Sequence, residues 1–361
     1  MIDPFAFGEK FRIKVSGSSH GPAVGVEIDG CPAGVKVSAA DIQLQLDRRK
    51  PGTSALASGR KEEDRVMVDG GIEDGITTGG KIVCSVKNKD AIASHYDKFK
   101  ETPRPGHADY PSMVKYGAAE PGGGFFSGRM TLAFVIAGAI AKKLLEREGI
   151  STMAFAASIG KVSVGREVSD EEIAKNAYAN AVHTAAPEIA GRMAEEVEAA
   201  RDDGDSVGGI VECRITGVPA GLGEPMFASI ESRISQAVFA IPAAKGIEFG
   251  SGFSGSAARG SKNNDEFAVA DGKIVARTNN AGGILGGLSS GMPIVFRVAF
   301  KPTSSIFRAQ KSVNVKTMKA EELKIAGRHD PCIAIRAVPV VENVAAICMA
   351  DIVLGQKGGM A

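Results

Sequence analysis

A chain of 361 residues with 44% apolar and 24% charged side chains can bury a large core, which excludes disorder and fibrous repeats. Its formal charge of +1 gives no overall pull towards nucleic acid or an anionic membrane, so any basic site must be local and neither partner is expected. The five scattered cysteines form no C-x-x-C pair, which excludes a disulfide scaffold, argues against a metal site, and points to free thiols in a reducing, cytoplasmic setting.

The opening MIDPFAFGEKFRIKV has no apolar secretion segment and reads as the approach to a strand. After the loop SGSSHG (16–21), VGVEID (24–29) alternates as a strand with one wet face. SAADIQLQLDRRK (38–50) predicts a helix capped by Ser38, with Asp41 three residues later and a stop at Pro51-Gly52. The polar loop DRRKPGTSALASGRK (47–61) leads to a second strand, GKIVCSVK (80–87). RPGHAD (104–109) is a tight turn, because Pro105 fixes its own φ and restricts Arg104 while Gly106 opens angles that other residues avoid.

PGGGFFSGR (121–129) runs into a helix over 129–148 whose apolar segment MTLAFVIAGAIA (130–141) is too short to span a bilayer and reads as buried. Helices are predicted over 169–182 and 187–202, and the acidic, alanine-rich stretch at 165–204 reads as a solvated helical excursion without chemistry. GGIVECRIT (208–216) is a strand, 229–240 a helix, and PIVFRVAF (293–300) a further strand. Between them NNAGGILGGLSSG (279–291) is a glycine-rich loop. KPTSS (301–305), a predicted helix at 318–326, GRHDP (327–331) and a helix at 339–354 complete the chain. GSGFSG (250–255) fits G-x-G-x-x-G, but the polar stretch after it cannot supply the helix of a dinucleotide fold.

IDGCPAG (28–34) returns as ITGVPAG (215–221), each closing a strand and each followed by a helix. One body of two related halves, about 8–160 and 205–356, would account for the echo, although shared turn chemistry alone could also produce it. The polar loops repeat a formula in which glycine admits a ligand, Ser or Thr donates, and Arg or Lys supplies charge, as phosphate or carboxylate recognition requires. His20, His107 and His329 fall in such loops, whereas His95 and His183 do not. Their glycine and hydroxyl neighbours mark His20 and His107 as proton donors and Asp330 as an acceptor or orienting group. His329 reads as structural, and Arg, His and Asp can also pair merely to satisfy a turn.

Taken together, SSHG, DRRKPGTS, RPGHADY, GGGFFSGRMT, AAKGIEFGSGF, NNAGGILGGLSSG, KPTSSI and GRHDPCIAIRAVPV resemble the blocks of the chorismate synthase family, in its order and over nearly the whole chain. The resemblance implies an α+β fold, a β-α-β sandwich with helices between antiparallel sheets, assembled as a homotetramer. It implies a lyase that eliminates phosphate from 5-enolpyruvylshikimate 3-phosphate in a 1,4 sense to give chorismate, with reduced FMN as cofactor and no net redox change. It assigns Arg49, Arg104, Arg129, Arg328 and Ser19 to the substrate, and His20 to the departing phosphate. His107 would face the N1 and C2 carbonyl edge of the flavin, and Asp330 its N5. Ser127, Ala243, Gly286, Lys301, Pro302, Thr303, Ser304, Ser305 and Arg328 would hold the FMN.

Three positions depart from the family pattern: Ser18 stands where a glutamate is usual, and Ala55 and Phe125 where arginines are common, with Arg60 a possible substitute cation. No nicotinamide-binding pattern is legible, so reduced flavin comes either from NADPH at this protein or from an external supply. Two rivals compete with this reading. One is a cofactor-independent lyase or phosphatase acting on a phosphorylated carboxylate; the other is a non-catalytic nucleotide or RNA binder, disfavoured by the near-neutral charge.

Overall fold

The computed structural model describes residues 3–52, 56, 62–89, 93–270 and 272–359. The first sheet comprises β1 (Ala6–Phe7), β2 (Arg12–Gly17), β3 (Ala23–Asp29), β4 (Val66–Gly70) and β5 (Ile82–Lys87), in the spatial order β1-β2-β3-β5-β4. The second comprises β6 (Ser151–Ile159), β7 (Val162–Ser163), β8 (Gly209–Thr216), β9 (Ala244–Phe249) and β10 (Ile294–Phe300), in the order β9-β10-β8-β6-β7. Every neighbouring pair in both sheets is antiparallel. Alternation sets which face is buried: Val24, Val26 and Ile28 on β3, with Ile82, Cys84 and Val86 on β5, point inward. On β8 and β10 the same rule buries Val211, Cys213, Phe296 and Val298, with Cys213 opposite Phe296. The cysteine thiols are free, and burial pushes the Cys31 thiol up to about 11.

Between the sheets lie α1 (Ala39–Arg49), α3 (Thr131–Glu146), α6 (Ile230–Val238) and α7 (Ile333–Gly359), with α3 against β3 and α7 against β6 and β8. Ser38 and Asp41 form the expected capping box on α1: Ser38 N–H donates to Asp41 Oδ2 at 2.8 Å and Asp41 N–H to Ser38 Oγ at 3.2 Å. Helix α3 is apolar on nearly every side and buried, as its composition predicts. It crosses α7 so closely that a β-carbon on Gly138 would sit 2.3 Å from Asn343 Cβ, which only glycine permits.

Several expectations are corrected. Helix α7 begins at Ile333, before Pro339, because the Ile335 carbonyl that the proline leaves without a helical donor receives the His183 Nδ1–H at 3.0 Å. The segment expected as a helix at 318–326 forms a strand, Lys319–Leu323, paired with Gln310–Asn314, where cross-strand pairing overrides helix propensity. The helix expected over 169–182 ends at Asn176 (α4, Asp170–Asn176), and the chain turns at His183 with φ +55° before α5 (Pro187–Asp202). β6 and β9 were not expected; β6 pairs in the second sheet, beyond the boundary that the sequence echo suggested.

Candidate active site

The loops between strands and helices around both sheets line one cleft of about 610 Å³. His20, His107 and Asp330 all line it, as do Arg104, Arg129 and Arg328, Ser127, Ala243 and the loop from Lys301 to Ser305 that includes Pro302, Thr303 and Ser304. Residues far apart in sequence therefore share a wall.

In the RPGHAD turn, Gly106 takes φ +69° and His107 N–H closes on the Arg104 carbonyl at 3.3 Å. Asp109, which opens α2 (Asp109–Tyr116), is buried beneath it. Its Oδ2 accepts from Arg104 Nε at 2.7 Å, and its Oδ1 lies 2.8 Å from Arg104 Nη2 and 2.6 Å from His107 Nδ1. Burial alone would raise this carboxyl, but hydrogen bonds from Arg104 and His107 outweigh it and hold it well below the usual carboxylate range. Nδ1 of His107 is engaged on this side, 2.6 Å from the carboxylate and 3.1 Å from Arg104 Nη2, so Nε2 is the ring nitrogen left for a ligand. Arg104 Nη1 also donates to Ser305 Oγ at 3.2 Å, and Lys301 Nζ to the Gly106 carbonyl at 2.5 Å, which ties the turn to the KPTSS loop.

His20 is set in a similar way by a neutral partner. Ser19 is fully buried; its Oγ lies 3.1 Å from His20 Nδ1 and 3.3 Å from the Gly122 carbonyl. With the hydroxyl hydrogen on that carbonyl, Ser19 accepts from Nδ1–H and leaves Nε2 available. Asn88 fixes the turn from below, donating to the carbonyls of Ser18 at 3.0 Å and Gly21 at 2.6 Å. Above both imidazoles lies the triple-glycine loop. A β-carbon on Gly122 would fall 2.0 Å from His20 Cε1, and one on Gly123 3.1 Å from His107 Cε1.

Asp330 is held by Arg336, whose Nη1 lies 2.5 Å from Oδ2 and whose Nε donates to the Arg49 carbonyl at 3.1 Å. Arg49 itself does not line the cleft. It is 1% exposed behind it, with Nη2 2.5 Å from Asp64 Oδ2. Asp64 also takes Arg129 Nη1 at 2.9 Å, while Arg129 Nε donates to Asn88. Burial opposes the charge on Asp64, but the two guanidiniums bring its carboxyl down to about 2. Burial lowers Arg49 to about 10, still a cation at neutral pH. Ser19 likewise acts from behind the cleft wall, and Gly286 lies in the hairpin between Ile284–Leu285 and Leu288–Ser289, outside the lining. Ala55 and Arg60 lie outside the described residues.

The residues fit a phosphorylated cofactor. Thr303 Oγ1 is buried without a hydrogen-bond partner among the described residues, on a loop whose backbone is anchored by Ser206 Oγ donating to the Thr303 carbonyl at 2.7 Å. Lys301 and Lys245 line the same wall, and burial, with the charge of Lys245, lowers the Lys301 ammonium. Ala243 turns with φ +71°, and its carbonyl accepts from Lys301 N–H at 3.0 Å. Among the described residues no group of His, Cys, Asp and Glu could hold a metal ion. Sequence reasoning anticipated Asp109 only as a partner of Arg104 and His107 within the turn, and gave no role to Arg336 or Lys245; their signal is proximity to residues it did name, Arg336 lying in the same block as Asp330.

The family model described as chorismate synthase matches residues 11–354. The chain is 48% identical over 346 residues to the chorismate synthase of Methanosarcina mazei, covering 96% of this chain and 94% of the relative. It is 46% identical over 356 residues to that of Korarchaeum cryptofilum, covering 98% of each. A crystal structure of a chorismate synthase superposes with a TM-score of 0.77 at 27% identity, over 97% of this chain and 94% of the other.

Proposed function

The chain belongs to the chorismate synthase family, and we propose that His20, His107 and Asp330 handle the protons of its reaction with reduced FMN bound in the same cleft. The activity is a lyase reaction, the 1,4-elimination of phosphate from 5-enolpyruvylshikimate 3-phosphate to give chorismate, in the shikimate pathway to aromatic amino acids. What carries the assignment is the convergence of the two imidazoles and the carboxylate on one cleft edged by arginines.

The substrate brings a phosphate and two carboxylates, and Arg104, Arg129 and Arg328 supply the cations that orient it. Arg49 serves indirectly, through the Asp64 pair that fixes Arg129, and Ser19 through His20. His20 holds its proton at Nε2 and gives it, or a hydrogen bond, to the departing phosphate, whose developing charge must be neutralised. Lys301, Pro302, Thr303, Ser304 and Ser305, with Ser127 and Ala243, would hold the cofactor, the Thr303 hydroxyl being a buried atom without a partner among the described residues. Reduced flavin, when bound, supplies the electron density that lets the C–O and C–H bonds break without net redox change. His107, carrying hydrogen at Nε2, would donate a hydrogen bond to the anionic edge of that ring, and Asp330, oriented by Arg336, accepts as a proton the hydrogen that the substrate loses.

The reading extends to a homotetramer in the cytoplasm, with two related halves in each chain. Exposed Phe253, Phe267, Val269 and Ile274 support self-association, and the free buried thiols support a reducing compartment. The halves are supported by matching connectivity, β2-β3-β5-β4 against β6-β8-β10-β9, and by left-handed glycines at equivalent places, Gly30 and Gly34 against Gly217 and Gly221.

The test is anaerobic phosphate release from 5-enolpyruvylshikimate 3-phosphate with and without reduced FMN. Turnover only with flavin, lost in His20→Ala and His107→Ala at unchanged thermal stability, is the expected result. Equal turnover without flavin would favour a cofactor-independent lyase or phosphatase, and full activity in both variants would remove the imidazoles from the mechanism.

A further inference from the structure

We infer that Phe125 is a positioning residue, closing a frame of contacts that fixes the triple-glycine loop against both imidazoles. The inference rests on His20 and His107 being the proton-handling groups. Gly122, Gly123 and Gly124 take φ of +62°, +83° and +52°, angles that glycine alone visits freely, so the loop has little stiffness of its own. Its backbone bonds are few: Gly123 N–H to the Glu120 carbonyl at 3.0 Å, Ser127 N–H to the Gly124 carbonyl at 3.3 Å, and Ser19 N–H to the same carbonyl at 3.4 Å. Yet the loop lies directly on the His20 and His107 rings, and any drift in it moves them.

Phe125 supplies the missing restraint. Its ring stands edge-on to Phe5 at 5.5 Å and 81° and to Tyr116 at 5.5 Å and 85°, and lies 4.6 Å from Phe126. Tyr116 is the last residue of α2, and Asp109, which holds His107 Nδ1, is the first. A short rigid helix thus links the two grips on one imidazole: from Asp109 along α2 to Tyr116, across to Phe125, back through the loop to Gly123 and so to the His107 ring. Phe125 is only half-buried and lines both the catalytic cleft and an adjoining apolar cavity of about 400 Å³, so its ring is not merely core filling. At the position where the family resemblance leads one to expect a guanidinium, this chain carries a ring whose edge-to-face contacts an arginine cannot reproduce.

The experiment uses the whole chain as Phe125→Ala, Phe125→Tyr and Tyr116→Ala, flavin-free for the titrations and with reduced FMN for turnover. Proton–nitrogen NMR follows the imidazole titrations, with histidines assigned by single His→Gln variants. Arg104, Asp109 and His329, the charged and titratable groups around His107, are unchanged in all three. Phe125→Ala is expected to shift the His20 and His107 midpoints by about half a pH unit. It should lower kcat by about tenfold with little change in KM. Phe125→Tyr should stay within about twofold of the parent, and Tyr116→Ala should shift His107 in the same direction by less. His183, bound to the Ile335 carbonyl, should not move. Midpoints and kcat unchanged in Phe125→Ala, or in Tyr116→Ala should the first variant not fold, overturn the inference. Because the titrations are read without flavin or substrate, they decide it even if turnover proves independent of the imidazoles.

Discussion

Asp64 and Asp109 are both buried aspartates that bridge two basic side chains, one behind the cleft and one in its wall. Asp64 joins Arg49 to Arg129, two groups whose charge is fixed at any ordinary pH. Asp109 joins Arg104 to His107, so its second partner is an imidazole and not a second guanidinium. The difference lies in the partner. A carboxylate between two guanidiniums is a strut, whereas one between a guanidinium and an imidazole occupies one ring nitrogen and leaves the other for the cleft.

The largest effect should come from breaking the strut. Asp64→Asn removes the counter-charge of buried Arg49 and leaves Arg129 to Glu62, 3.5 Å from its Nη2, and a loss of about 3–5 kcal/mol of unfolding free energy is expected in urea titration. A loss below about 1 kcal/mol would mean that the strut is hydrated or otherwise compensated. The working cluster should respond in the other observable. His107→Gln is expected to reduce turnover about 10²–10³-fold, or about 3–4 kcal/mol of barrier, with a nearly unchanged urea midpoint. Equal stability losses in both variants would erase the distinction between strut and site.

Much of the working side was legible in the sequence, because glycine and hydroxyl neighbours flag His20, His107 and the KPTSS loop locally. The strut was not. Arg49 looked like a substrate clamp beside its polar loop, and only the tertiary fold brings Asp64, with its left-handed φ of +46°, beneath it. The same limit explains the helices. The capping box on α1 is a local signal and appears where expected, but the start of α7 depends on His183, from a distant segment, catching the carbonyl that Pro339 strands. Lys319–Leu323 has helix-forming residues and is a strand because Gln310–Asn314 lies beside it. Gly286 sits in a loop rich in the right residues, yet the hairpin carries it out of the cleft lining.

Acid should separate the two carboxylates from an ordinary surface one. Asp64 ionises at about 2 in the folded chain against a reference of 3.8, so its contribution is complete above the unfolded value and disappears as pH falls through the folded one. Stability should therefore decline between about pH 4 and pH 2 by about 2 kcal/mol on this account. Asp109 is depressed in the same direction and adds to the decline. Urea midpoints measured across this range should show a shallower fall in Asp64→Asn, from a lower starting stability. An unchanged slope would mean that Asp64 is not ionised below its normal range in the native state.

The smallest effect sharpens the comparison most, because it concerns the one contrast that both aspartate clusters share against the cofactor loop. Each aspartate finds its partners within the chain, whereas Thr303 Oγ1 is buried with none among the described residues. A buried hydroxyl without a partner costs the folded chain its desolvation and returns nothing until a ligand arrives. Thr303→Val keeps the shape and removes that cost, so the flavin-free variant should be as stable as the parent or more stable by about 0.5–1 kcal/mol. Flavin affinity should move the opposite way, weakening about five-fold as one hydrogen bond to the cofactor is lost. Melting curves with and without FMN read both signs in one experiment. If the variant loses stability without flavin and binds it unchanged, the hydroxyl serves the fold, and the cofactor loop is as self-sufficient as the strut behind it.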